Sequence, residues 1–171
     1  MSPVPKWFTR EFDFRFPVEF CPNLCARLRG TPARLDELLH GCPRELLVRR
    51  PQDKWSAQEH AGHLLDLEPL WMARVEDYLT GATELTTADL SNRNTDEADH
   101  NVRPLEQITA GFRNARTQLV DRVEKIDAAI FARVMIHPRL KKPMRLVDHI
   151  YFVAEHDDHH LAQIWQLISA A

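Results

Sequence analysis

The chain has 171 residues, of which 44% are hydrophobic and 27% are charged, and its formal net charge is −3. This composition is typical of a soluble globular protein, and the length favours a single domain over residues 1–171. The negative charge and scattered basic residues argue against a nucleic-acid surface. No apolar run approaches the roughly 20 residues needed to cross a bilayer, and the N-terminus lacks a secretory signal pattern. We therefore expect a cytoplasmic protein without nucleic-acid or membrane partners.

The apolar pattern predicts an all-α fold, a four-helix bundle with an extended N-terminal arm over residues 1–17. Aromatic and polar residues alternate in the arm, which could be a short strand. We favour an extended segment whose aromatic side chains lie on the bundle. The first helical region covers about residues 18–40. Thr31 followed by Pro32 is typical of a helix start, so we expect an interruption at Gly30.

The second helix is predicted to begin at Ser56, which can form a capping box with Glu59, and to run to Gly81. Pro69 lies inside it and predicts a kink, because proline lacks an amide donor and crowds the preceding turn. Residues 82–103 are polar and form a long loop. Loops of this length are often functional lids or disordered segments.

Two further helices complete the predicted bundle. Pro104 begins the third helix, which ends near Ile126. Residues 127–144 are expected to form a connection with a short turn of helix. The last helix covers about residues 146–169.

Histidine is unusually frequent, since the chain has 9 and four of them lie between positions 149 and 160. His156 and His160 are four residues apart and share one face of the last helix. Histidine is the commonest metal ligand, and catalytic zinc sites keep three protein ligands and one open coordination position. His60 and His63 are both candidates for the third ligand. Periodicity slightly favours His60, but spacing does not decide between them. The alternative is a set of surface histidines and one core histidine, without a metal.

Two motifs in the chain resemble the DinB/YfiT-like superfamily, bacterial proteins with a four-helix bundle and a metal site. The motifs are Trp55-Ser56 followed by His63-Leu64-x-Asp66, and His156-x-x-His159-His160-x-x-Gln163-Ile164. The resemblance covers most of the chain. The family's metal is held by one histidine of the second helix and two of the last, four residues apart. The resemblance therefore implies that His63, His156 and His160 are the metal ligands.

The resemblance also implies a metal-dependent enzyme, because family members include hydrolases and transferases that use a low-molecular-weight thiol. Imidazole ligands suit several divalent ions, of which we expect zinc or nickel. Such an ion can lower the pKa of bound water from about 15.7 to about 7, or stabilise a thiolate. We expect a small-molecule substrate, a thiol as an optional co-substrate, and a homodimer. The alternative is a metal-binding or stress-associated bundle without catalysis.

Asp157 is our candidate catalytic residue, because it directly follows His156, where His-Glu-x-x-His metalloproteases carry their catalytic glutamate. It would act as a general base or as the partner of an imidazole. The alternative is an ion pair with an arginine of a neighbouring helix. Glu68 is also predicted to face inward and would support the metal site or bond a facing helix. Asp66 could orient an imidazole, but we expect it to be solvated. His100 could join a substrate lid, but we expect it to be exposed in the loop.

Overall fold

Four long helical segments form a bundle in the computed structural model, which describes residues 3–169. The helices are α1 (Cys21–Leu39), α2 (Arg44–Leu47), α3 (Ala57–Asp66), α4 (Glu68–Thr80), α5 (Arg93–Glu97), α6 (Leu105–Val123) and α7 (Leu146–Ser169). Both α1 and α3 pack against α6 and α7, and α4 continues the segment that α3 begins. The predicted all-α four-helix bundle is therefore confirmed. Residues 1–2 of the predicted arm and residues 170–171 of the predicted domain lie outside the described residues.

The second helical segment begins and breaks where its sequence predicts. The Oγ of Ser56 accepts a hydrogen bond from the Glu59 amide at 3.1 Å, and the Glu59 carboxylate accepts one from the Ser56 amide at 2.8 Å. This capping box satisfies amides that have no partner within the helix. At Leu67 the segment divides into α3 and α4, with Pro69 in the first turn of α4. α4 ends at Thr80 and is followed by Gly81, whose φ of 76° is the left-handed conformation that glycine adopts readily.

The predicted interruption of the first helix is wrong. α1 continues through Gly30 and Pro32. The Thr31 side chain does not cap a new helix, because its hydroxyl lies 3.3 Å from the Arg27 carbonyl and 2.9 Å from Oδ2 of Asp157. Thr31 is fully buried, so its tertiary contacts outweigh the local start signal.

Two connections carry more structure than their sequences predict. Residues 82–103 contain α5 and a 3-10 turn, His100–Val102. Residues 127–144 contain a 3-10 helix, Ala128–Ala132, and most of an antiparallel hairpin formed by β1 (Val134–Ile136) and β2 (Pro143–Arg145). Strands of three residues are too short for their alternation to be recognised in a sequence. The absence of strands from our prediction is corrected accordingly.

The N-terminal arm is extended apart from one 3-10 turn, Trp7–Thr9. Four of its aromatic side chains pack against the core, as predicted: Trp7, Phe12, Phe14 and Phe16. The fifth, Phe8, is exposed. Arg10 forms an ion pair with Glu155 of α7. The Trp7 ring packs against His156 and His159, so the arm lies on the face of α7 that carries these histidines. Within the described residues, no helix combines the length and apolarity required to cross a bilayer.

A layer of buried polar residues separates two apolar clusters in the bundle. One cluster surrounds Trp71 and Val153, and the other surrounds Leu64 and Phe112. Each helical segment contributes one residue to the layer between them: Thr31, Glu68, Arg116 and Asp157. The Arg116 guanidinium donates to both carboxylates. Burial raises the pKa of Glu68 to about 7, although Arg116 opposes the shift.

Candidate metal centre

Three buried histidines from two helices converge beside this polar layer. His63 comes from α3, and His156 and His160 come from α7. One nitrogen of each imidazole lies within 4.8 Å of the others. The Nε2 atoms of His156 and His160 are 3.1 Å apart. Two tetrahedral nitrogen ligands of zinc lie about 3.4 Å apart, so this separation suits a shared ion.

The ring of His63 is oriented by a chain of hydrogen bonds. Its Nδ1 lies 2.9 Å from the Oγ1 of Thr95, and the Thr95 hydroxyl donates to Oδ2 of Asp66 at 2.8 Å. Because the hydroxyl proton is directed to Asp66, the hydroxyl oxygen accepts the Nδ1 proton of His63. The lone pair of the neutral ring then lies on Nε2. An imidazole oriented in this way is typical of a metal ligand.

His60 contacts one of the candidate ligands and is not itself part of the cluster of three. The Nδ1 atoms of His60 and His160 lie 2.9 Å apart. When His160 is the donor in this pair, its lone pair lies on Nε2, the atom that faces His156. Of the two histidines of α3, His63 belongs to the three-histidine cluster, whereas His60 contacts the cluster through His160.

Burial keeps the clustered imidazoles neutral. It lowers the pKa of His63 to about 4 and lowers the pKa values of His156 and His160 well below the usual value. The neighbouring imidazoles add to the shift at His156 and His160. A neutral imidazole is the form that binds a metal ion, so the cluster does not have to release protons first. The Nδ1 atom of His156 is buried without a hydrogen-bond partner among the described residues.

Two expectations about polar residues near the site are wrong. His100, expected to be exposed in the loop, is only 1% exposed, and its Nε2 lies 2.8 Å from Oδ2 of Asp66. Asp66, expected to be solvated, is partly buried and interacts with both His100 and Thr95. Gly62 permits this packing, because a Cβ at that position would lie 2.3 Å from the His100 ring.

Asp157 points away from the histidines into the polar layer. Both of its oxygens accept hydrogen bonds from Arg116, and Oδ2 also accepts one from Thr31. Asp157 is fully buried and is not among the residues that line the neighbouring cavity. The geometry favours the alternative ion pair with a neighbouring helix over a catalytic role for this residue. Glu68, which faces the same guanidinium, bonds a facing helix in the same way.

A cavity of about 720 Å³ adjoins the three histidines. The N-terminal arm contributes Trp7 and Phe8 to its walls, and the 82–103 connection contributes residues 87–90. Trp71 and Phe152 supply apolar surface from the bundle. The volume lies within the range of small-molecule pockets. The arm and the connection therefore enclose a space in which a small substrate can reach the histidines.

Comparisons with known proteins agree with this fold. The sequence model of the DinB superfamily matches residues 27–164. Among solved structures, the chain is similar to YfiT from Bacillus subtilis, described as a probable metal-dependent hydrolase with an unusual four-helix bundle topology. The TM-score is 0.82 at 18% sequence identity, and the alignment covers 94% of this chain and 93% of YfiT. No curated protein matches the sequence. The matched region spans most of the chain, which belongs to the DinB superfamily.

Proposed function

We propose that this protein is a metal-dependent enzyme in which His63, His156 and His160 hold one divalent ion beside the cavity. The observation that carries the proposal is the convergence of three buried imidazoles whose nitrogens lie within 4.8 Å of one another. Among the described residues, no fourth histidine, cysteine or carboxylate belongs to that cluster. Three protein ligands with one open position are typical of catalytic rather than structural sites.

The residues around the cluster orient it and shield it from water. Thr95 holds the His63 ring, and His60 holds the His160 ring. Trp7 packs against His156, with 5.1 Å between ring centres, and closes the cavity on the arm side. When bound, a divalent ion supplies positive charge that lowers the pKa of a coordinated water or thiol. We propose zinc or nickel, because both accept imidazole ligands.

Hydrolysis of a small molecule is the reaction we favour. The fold is shared with YfiT, itself described as a probable metal-dependent hydrolase, and the cavity of about 720 Å³ suits a small substrate. Transfer of a low-molecular-weight thiol is the second use of the same site, since the ion would activate either nucleophile. In this proposal residues 1–171 act as one domain. The homodimer and the cytoplasmic location stay predictions.

Turnover of a panel of 4-nitrophenyl esters by zinc-loaded and nickel-loaded protein, with and without added cysteine, tests the proposal. Free imidazole cleaves such esters slowly, so the comparison with variants decides. We expect His160→Ala to lose at least about 100-fold in kcat/KM, as removal of a metal nucleophile implies. His40→Ala, which changes an exposed histidine, should keep the wild-type value. Equal turnover by wild type and His160→Ala, or none by wild type, would overturn the proposal.

A further inference from the structure

Positive charge predominates over negative charge in the lining of the cavity. Four lysines and arginines line the cavity as a whole, against one acidic residue, Asp89. The oxygens of Asp89 accept hydrogen bonds from Ser91 and from the Arg93 amide within its own turn. The chain as a whole has a net charge of −3, so the positive lining does not reflect its overall composition.

Arg74 is a buried cation without a carboxylate partner. Its side chain is 2% exposed, and its Nε donates to the Thr86 carbonyl at 2.9 Å. No carboxylate of the described residues lies within ion-pair distance of its guanidinium. Burial lowers the pKa of Arg74 only to about 10, so the group is still charged at neutral pH. Buried charges are normally paired, which makes this position unusual.

His137 turns a second donor towards the same point. Its Nδ1 accepts hydrogen bonds from the backbone amides of Arg139 and Leu140, both at 3.2 Å. A neutral imidazole with an accepting Nδ1 carries its proton on Nε2. That Nε2 lies 3.3 Å from Nη1 of Arg74. Two donors therefore lie next to each other, and an acceptor beside them would satisfy both.

Two more donors lie nearby without partners. Nη2 of Arg139 and Nε1 of Trp71 are buried with no hydrogen-bond partner among the described residues. The Arg74 guanidinium lies 5.5 Å from the Trp71 ring centre, and the His156 ring lies 5.5 Å from the same centre. One indole ring thus connects these donors to the three-histidine cluster. Native interiors leave few buried donors unsatisfied, so a group of them lining a cavity indicates a missing acceptor.

We infer that Arg74, His137 and Arg139 form a subsite for the carboxylate of an organic-acid substrate. The planar fork of a guanidinium matches a carboxylate with paired hydrogen bonds. The apolar rings of Trp71 and Phe152, which also line the cavity, suit an aromatic or aliphatic body. The reactive bond of such an acid would reach the histidines. This last step rests on the proposed function, whereas binding of the carboxylate does not require a metal.

Calorimetric titration of the metal-free protein with 3-phenylpropanoate and with 3-phenylpropanamide tests the subsite. The two probes share their shape and differ in charge. We expect the acid to bind wild type at least tenfold more tightly than the amide. Arg139→Gln, which changes a partly exposed side chain, should reduce this preference to less than twofold, and Arg74→Gln should do the same. Arg113→Gln, on an exposed face of α6, should leave the preference unchanged.

The preference should also survive in His160→Ala. Its loss there would place the carboxylate at the histidines and overturn the subsite. Equal binding of the two probes to wild type, or no binding of the acid, would overturn it as well. If circular dichroism shows that Arg74→Gln does not fold, Arg139→Gln decides. If the protein binds no metal but still prefers the acid over the amide, the proposed function is rejected and the subsite is retained. The two failures are therefore distinguishable.

Discussion

The hydroxyl oxygen of Thr95 lies 2.9 Å from Nδ1 of His63. This contact fixes the ring and places the lone pair of the neutral imidazole on Nε2. We therefore predict that Thr95→Val weakens metal binding by about 10–100-fold, the usual effect of losing a group that orients a ligand. Competition with a coloured chelator measures the dissociation constant. Thr117→Val, at an exposed position on α6, is the matched control. An unchanged affinity in Thr95→Val would show that the hydroxyl does not orient His63.

Substitution by alanine should have opposite effects on stability at Gly62 and at Gly30. A Cβ at Gly62 would meet the His100 ring at 2.3 Å, whereas a Cβ at Gly30 would meet nothing within 4 Å. Gly62→Ala should displace His100, disturb Asp66 and lower both stability and metal affinity. Gly30→Ala should stabilise α1 by about 0.5–1 kcal/mol, because alanine favours the helix.

Urea unfolding of both variants, followed by chelator competition, tests this pair. A stable Gly62→Ala with wild-type metal affinity would contradict the role assigned to His100. Stabilisation by Gly30→Ala would show that the substitution is acceptable in a helix of this protein where space allows.

Substitutions in the polar layer can distinguish a structural ion pair from a catalytic role for Asp157. Arg116→Met would leave the buried carboxylates of Glu68 and Asp157 without their cation, and should cost about 3–5 kcal/mol in the free energy of unfolding. Asp157→Asn should also destabilise the protein, while kcat per metal-loaded, folded molecule changes less than about threefold. A general base would instead lose about 100-fold or more in kcat.

Urea unfolding and single-substrate kinetics on the same preparations provide both quantities. A large loss of kcat in Asp157→Asn at unchanged stability would restore the catalytic role that its position after His156 suggested.

Glu59 predicts how stability depends on acid pH. Burial disfavours its ionised form, but hydrogen bonds from Arg50 and from the Ser56 amide outweigh this and lower its pKa to about 2 from 4.5. Because the folded-state pKa is the lower one, ionised Glu59 stabilises the fold above about pH 4.5. That contribution is lost as the pH falls towards 2.

We therefore predict that Glu59→Gln lowers Tm at pH 7 and that the difference from wild type shrinks between pH 4.5 and pH 3. Thermal unfolding monitored by circular dichroism at several pH values measures it. Glu45→Gln, at an exposed position, is the control. A Tm difference that stays constant down to pH 3 would show that the ionised carboxylate contributes nothing.

Local signals explain the parts of the fold that the sequence predicted. The capping box of Ser56 and Glu59, the break at Pro69 and the shared face of His156 and His160 each depend on residues within four positions of one another. Spacing does not decide between His60 and His63, and periodicity slightly favours His60, which is not part of the cluster. The family resemblance favoured His63, and the structure places it with the α7 pair.

The contacts that sequence reasoning missed join distant parts of the chain. Thr95 and His100 reach Asp66 from the 82–103 connection, across 29 and 34 positions. A polar loop has no periodicity that would predict such contacts. The local sequence at Thr31 predicts a helix start for a related reason. The residue that its hydroxyl contacts, Asp157, lies 126 positions away. One sequence signal for the packing of His100 is Gly62. A glycine inside a helix, here next to a candidate ligand, often indicates that another group packs closely against the backbone.

Elemental analysis of untagged protein tests the central claim most directly. After loading with zinc or nickel and removal of excess metal, wild type and His40→Ala should each hold about one equivalent, as one three-histidine site predicts. The double variant His63→Ala/His160→Ala should hold none while retaining its helical circular dichroism. Wild type that binds no metal, or a double variant that binds as much as wild type, would contradict the assignment of His63, His156 and His160 as the metal site.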